Sequence, residues 1–167
     1  MSNDLRKNVA IFGEPQLIKV TDKVYLAFAF DLVNSVFVIG DDGVVIIDTL
    51  ARVENAERAL VELRKITDKP IVAIIYSHGH FDHTAGSAAF IPSGNNEGIP
   101  VYASDNWKRY REELVSPLYP MINRRMIEQV GFAVSNPDSE RYEHVLGPVY
   151  PKSVTQSYVT PNHTISG

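Results

Sequence analysis

At 167 residues, with 44% hydrophobic and 22% charged side chains, the chain has the size and composition of one ordinary domain, which argues against disorder. A net charge of −4, with Lys and Arg clustered only at Lys108–Arg111 and Arg124-Arg125, gives no electrostatic case for nucleic acid. There is no cysteine, so disulfides and thiolate ligands are excluded and any metal must be held by imidazole and carboxylate.

The strongest apolar stretches, Val44 to Ile47 and Ile71 to Ile75, have the length of strands. None approaches the roughly 18 apolar residues of a membrane helix. The N-terminus, Met1 to Gly13, lacks an apolar core, so no signal peptide is readable. The expected location is cytoplasmic, or periplasmic if the true start lies upstream; absence of Cys fits both.

Residues 16 to 50 read as a run of short strands. Val24 to Phe30 and Ser35 to Ile39 are rich in aromatic and β-branched residues, which favour strands. Asp41-Asp42-Gly43 is a turn signal, so Val36–Ile39 and Val44–Asp48 are expected to form a hairpin. From Glu54 to Thr67 the period changes. Ala56, Ala59, Leu60, Leu63 and Ile66 fall on one helical face, and Pro70 marks the stop. Ile71 to Tyr76 is near-continuously apolar, as in a strand buried on both faces.

Beyond the cluster described next, Thr84 to Phe90 is compatible with a helix and Pro92 to Gly98 reads as a loop. Val101 to Ala103 suggests another strand. Ser104 or Asp105 can cap a helix reaching about Val115. Pro117 to Pro120 interrupts, and Met121 to Val130 is expected to be helical. The last 35 or so residues are rich in Pro and lack periodicity, an extended segment with no closing strand or helix. There is no internal repeat or low-complexity segment. Strand–helix–strand order points to an α/β layered sandwich.

Directly after the apolar strand stands Ser77-His78-Gly79-His80-Phe81-Asp82-His83. Four candidate ligands occupy six positions, at the C-terminal edge of a sheet where ligand sites are common. In extended backbone His78 and His80 point the same way. A turn at Phe81 then sends Asp82 and His83 to a second position, while Gly79 and Gly86 permit close backbone approach and tight helix packing. Two adjacent ligand pairs suggest two metals about 3.5–4 Å apart, suited to activating a bridging water. The bland alternative is a set of solvent-facing histidines. Four candidate ligands at this spacing weigh against it.

His78-x-His80-x-Asp82-His83, with the upstream Gly40 to Thr49 segment ending in Asp48-Thr49, resembles the signature of the metallo-β-lactamase fold superfamily. The resemblance implies His78 and His80 on one metal and Asp82 and His83 on the other, two Zn2+ per complete site. It also implies that Asp48 orients a ligand histidine through a hydrogen bond. The bland reading of Asp48 is a carboxylate that caps the turn after its strand.

A narrower resemblance, over about Ile18 to Gly167, rests on Asn34 to Ile39, Ile75-Tyr76-Ser77-His78, and Asn123-Arg124-Arg125 followed by Gly131. These are similar to the alkyl-sulfatase branch, which hydrolyses long-chain alkyl sulfates. The family's Gly-Asn-Ala-Met-Thr/Ser-Arg-Arg stands here as Tyr119 to Arg125. The double Arg matches, but the family's Asn falls on Pro120 and its Thr or Ser on Asn123. Asn123 and Arg124 are thus candidate contacts to a tetrahedral oxyanion, or part of a solvated helix face. His144 and His163 read as surface residues.

The resemblance implies an αββα sandwich of which this chain is the N-terminal part. It gives a sheet half with the metal motif over 16–103 and a helical and extended family-specific segment over 104–167, with a second sheet and later ligands beyond Gly167. The implied function is zinc-dependent hydrolysis of an amphiphilic sulfate ester. A thioester, lactone or β-lactam hydrolase shares the ligand motif. A truncated, inactive metal-binding domain is the non-enzymatic alternative. Dimers occur in the resembled family, which leaves a homodimer open.

Overall fold

The structure is a computed structural model that describes residues 12–91, 98–108, 116–130, 140–144 and 146–166. Strands β1 (Gln16–Lys19), β2 (Val24–Phe28), β3 (Ser35–Ile39) and β4 (Val44–Ile47) form an antiparallel meander. Helix α1 (Val53–Arg64) then carries the chain to β5 (Ile71–Ile75), which pairs with β4 in parallel. The short helix α2 (Phe81–Thr84) and a 3-10 turn (Ser87–Ala89) lead to β6 (Val101–Ser104), parallel to β5. Helix α3 (Tyr119–Val130) and a hairpin of β7 (Tyr142–His144) with β8 (Gly147–Val149) follow. Last comes β9 (His163–Ile165), which pairs in parallel with β6 and completes a seven-stranded sheet in the order β1-β2-β3-β4-β5-β6-β9.

Alternation along the strands sorts the sheet into two unlike faces. Ala27, Phe37, Val44, Ile46, Ile74, Val101 and Ala103 are buried together with Ala56, Ala59 and Leu63 of α1. The other face carries Leu26, Val36, Val38, Val45, Ile47, Ala73 and Ile75, none of which is buried. Helices thus cover one face among the described residues. This corrects the expectation that β5 is buried on both faces: Ile74 is fully buried, but Ala73 and Ile75 on the opposite face are only half-buried. Ile66 also departs from its expected face, because the helix stops at Arg64 and leaves it 43% exposed.

The C-terminal segment differs most from its sequence reading. It was expected to end without a closing element, yet β9 forms the sheet edge. Asn162 explains the docking: its side-chain oxygen accepts from Val101 N–H at 2.8 Å, and its own N–H donates to Val101 O at 3.1 Å. Further back the segment straps the start of α1. Arg52 offers no side-chain cap, so the orphan N–H of Val53 instead donates to Thr155 O at 3.0 Å. Glu54 in turn accepts from the backbone N–H and hydroxyl of Thr155. The helix expected over Ser104 to Val115 lies partly outside the described residues; 105–108 form a turn. Most of the Pro92 to Gly98 loop also lies outside them.

One buried carboxylate holds the turn that delivers β4 to α1. Asp31 accepts from Leu32 N–H at 2.8 Å, Ala51 N–H at 3.2 Å and the Asn55 amide at 2.9 Å. Asn55 then accepts from the Ser153 hydroxyl at 2.9 Å, which joins the strap to the same network. Burial pushes the Asp31 carboxyl above the ordinary carboxylate range, against the hydrogen bond from Asn55 and those from the backbone. The folded protein therefore keeps this proton to a higher pH than the unfolded chain, and the group's contribution to stability falls as pH rises through that window. Replacing Asp31 by Ala strands the buried Ala51 N–H and the Asn55 amide. It is predicted to cost about 2 kcal/mol in urea unfolding at neutral pH. A loss below about 0.5 kcal/mol, the level of an ordinary surface substitution, contradicts this role.

Candidate metal centre

The site is built where β4 and β5 end side by side. Asp48 follows β4 with φ of 59° and Leu50 has φ of 68°, left-handed values that cost a non-glycine residue about 1–3 kcal/mol. Surrounding bonds hold Asp48 there. Its N–H donates to Ile75 O at 2.9 Å, and its carbonyl accepts from the Ser35 hydroxyl at 2.7 Å. Its carboxylate is turned toward the loop after β5. Oδ1 accepts from Ser77 N–H at 2.7 Å, and Oδ2 from the Ser77 hydroxyl at 2.7 Å.

The loop itself is anchored at both ends. Tyr76 is buried, its N–H donating to Tyr102 O at 2.9 Å and its hydroxyl to Val159 O at 3.0 Å. On the far side His83 O accepts from both the N–H (2.8 Å) and the hydroxyl (3.1 Å) of Thr49. Gly86 passes so close to Thr49 O, Ala56 and Arg52 O that a Cβ there would overlap them. The expectation of tight packing at Gly86 is met, against the turn after β4 and the start of α1.

Three imidazoles converge on this scaffold. His78 and His80 meet edge to face with centroids 4.6 Å apart, and the His78 and His83 rings are 4.0 Å apart. Nε2 of His78 and Nδ1 of His80 face each other at 2.9 Å. His83 Nδ1 lies 2.7 Å from Asp48 Oδ2, and its Nε2 lies 3.9 Å from Asp82 Oδ2. Chemically the set fits a hard or borderline divalent cation, and it is grouped in two pairs. Among the described residues no three His, Asp or Glu side chains form a ready metal nest.

Burial lowers the pKa of His78, helped by the neighbouring charges of His83 and His80 and opposed by Asp48 and Asp82. In His83 burial works downward too, but the hydrogen bond and charge of Asp48, with Asp82 behind it, outweigh it and raise the pKa. The two rings thus shift in opposite directions: burial prevails at His78, and the contact with Asp48 prevails over burial at His83.

His78, His80, Asp82 and His83 lie together after β5, and Asp48, which the resemblance implied beside a histidine, contacts His83. Asn123 and Arg124 are exposed on α3, and Gly131 lies outside the described residues. His163 is exposed on β9 beside Tyr102, with ring centroids 4.9 Å apart; His144 lies on β7. Sequence reasoning missed Ser77 and Asp31. Ser77 sits inside the motif, but a lone hydroxyl carries no spacing signal of its own.

The profile of the metallo-beta-lactamase superfamily matches residues 29–164. The chain belongs to the metallo-beta-lactamase superfamily. Within it, the chain is 30% identical over 125 residues to a linear primary-alkylsulfatase of a Pseudomonas strain, covering 74% of this chain and 24% of the relative. It is 28% identical over 163 residues to an (R)-specific secondary-alkylsulfatase of Pseudomonas sp., covering 90% and 25%. The solved structure of Pisa1, a stereoselective inverting sec-alkylsulfatase from Pseudomonas sp., superposes with a TM-score of 0.77 at 27% identity, over 96% of this chain and 26% of that one. The chain thus spans about a quarter of the length of these relatives.

The Asp48–His83 pair makes a testable demand on the metal-free protein. His83 is predicted to titrate above the ordinary histidine value, and Asp48→Asn to drop it below, because burial then acts with little opposition. The pair's stabilisation is complete below the unfolded histidine value and is lost as pH rises through the raised folded one. NMR titration of the His83 ring checks this; an unchanged midpoint in the variant contradicts it.

Proposed function

We propose that this chain carries the metal-binding part of a hydrolase that cleaves sulfate esters of apolar alcohols with two zinc ions. The observation that carries the reading is the pairing of donors. His78 Nε2 and His80 Nδ1 face each other, while Asp82 stands beside the His83 nitrogen turned away from Asp48. In this reading His78 and His80 hold one ion, and Asp82 and His83 the other. When bound, two zinc ions supply a water acidified to near-neutral pKa and positive charge to offset that of the sulfate.

The chain's own residues do the rest. Asp48 accepts a hydrogen bond from Nδ1–H of His83 and so keeps the other ring nitrogen as an acceptor. The strand ends and the Thr49–His83 bonds fix the loop before any ligand arrives, so little ordering is left to binding. Asn123 and Arg124 on α3 are the proposed contacts to the sulfate oxygens, with planar donors suited to a tetrahedral anion. The sulfatase names of the relatives favour a sulfate ester over a thioester, lactone or β-lactam, which the same ligand motif serves. The half-exposed apolar face of the sheet is where a second sheet of an αββα sandwich packs, and a catalytic zinc usually takes three protein ligands. The complete site is therefore proposed to draw further donors from outside the described residues.

Release of inorganic sulfate from primary and secondary alkyl sulfates, measured with added zinc beside thioester, lactone and β-lactam substrates, tests the substrate class. The protein that contains this chain is predicted to release sulfate. Asp82→Ala is predicted to reduce the rate at least about a hundredfold, the upper end of what is lost when a group that merely supports a metal ligand is removed. Hydrolysis of another class with no sulfate release would assign the site to that class instead.

A further inference from the structure

Ser77 is not among the metal donors, yet its hydroxyl touches three of the groups that define the site. Oγ lies 2.7 Å from Asp48 Oδ2, 3.0 Å from His78 Nδ1 and 3.4 Å from His83 Nδ1. The residue is pinned by its own N–H, which donates to Asp48 Oδ1 at 2.7 Å. A hydroxyl has one proton to give and two lone pairs to receive with, whereas an ionised carboxylate only receives. The Ser77 proton is therefore directed to Asp48 Oδ2, the shortest of the three contacts. Its lone pairs then face His78 Nδ1, a contact that is favourable only when that nitrogen carries the proton. His83 Nδ1 obeys the same logic directly, at 2.7 Å from the same carboxylate oxygen.

We propose that Ser77 is a positioning residue: it relays the demand of Asp48 to His78, holds that ring in the Nδ1–H tautomer and leaves Nε2 as the bare nitrogen. One carboxylate then sets two imidazoles, His83 by direct contact and His78 through the hydroxyl. The consequence for metal affinity rests on the metal reading above, since Nε2 of His78 is the atom that faces His80 Nδ1 at 2.9 Å. The tautomer assignment itself does not depend on any bound ion.

Two-bond 1H–15N spectra of the metal-free protein, labelled at histidine and held at a pH where the rings are neutral, distinguish protonated from bare ring nitrogens. In the wild type His78 and His83 are both expected as Nδ1–H. In Ser77→Ala, His78 is expected to shift toward Nε2–H while His83 stays Nδ1–H on Asp48; Ser77→Thr, which keeps the hydroxyl and serves as the folded reference, restores the wild-type pattern. Zinc affinity, measured by competition with a chelating dye, is expected to fall about tenfold or more in Ser77→Ala and to recover in Ser77→Thr. The proposal is overturned by a His78 that keeps its Nδ1 proton in Ser77→Ala, by a wild-type His78 protonated at Nε2, or by an affinity loss that Thr does not rescue. The stated tautomers in wild type and Ser77→Ala, with no zinc bound by the wild type, contradict the metal reading and leave the Ser77 relay standing.

Discussion

Asp48 follows β4 in a left-handed conformation, and both oxygens of its carboxylate are turned into the loop after β5. That arrangement joins two parallel strand ends with short hydrogen bonds in a half-buried setting, where such bonds weigh more than in open solvent. The strained backbone at Asp48 is the cost of aiming the side chain sideways from a strand end. It is offset by the bonds from Asp48 N–H to Ile75 O and from the Ser35 hydroxyl to Asp48 O. Without this carboxylate, the loop from Ser77 to His83 would lose the acceptor that orders its start and one of its rings.

The fold around this hub serves the same end. The parallel pairing of β4 with β5 places two loop starts beside each other, and α1 covers the sheet face beneath them. The C-terminal strap then closes the structure from a long sequence distance. Thr155 caps α1, the Ser87 hydroxyl accepts from Val159 N–H at 2.8 Å, and Ser157 N–H donates to Ala85 O at 2.7 Å. The helical turns that follow the histidine cluster are thereby tied on two sides, to the turn after β4 and to the strap.

The local elements were legible because their signals are local. The hairpin of β3 and β4 follows from Asp41-Asp42-Gly43 between apolar runs, α1 from its 3.6-residue period, and the donor cluster from spacing within seven residues. What escaped is non-local. A strand of three residues such as β9 has no periodicity to read; it exists because Asn162 docks on Val101, more than sixty positions away. The burial of β5 was overestimated because its composition reports hydrophobicity and not whether a second layer is present. Asp31 looked like any loop carboxylate, and its burial depends on the meeting of Leu32, Ala51 and Asn55. Ser77 was overshadowed by the histidines beside it, since only the three-dimensional path of β4 brings Asp48 to its hydroxyl.

The central claim is that His78, His80, Asp82 and His83 form a cation site prepared by Asp48. Calorimetric titration of zinc into the purified protein tests it most directly, with His78→Ala/His80→Ala run in parallel. Saturable zinc uptake by the wild type and its loss in the double variant are expected, with both proteins equally folded by circular dichroism. A wild-type titration indistinguishable from that of the variant would contradict it.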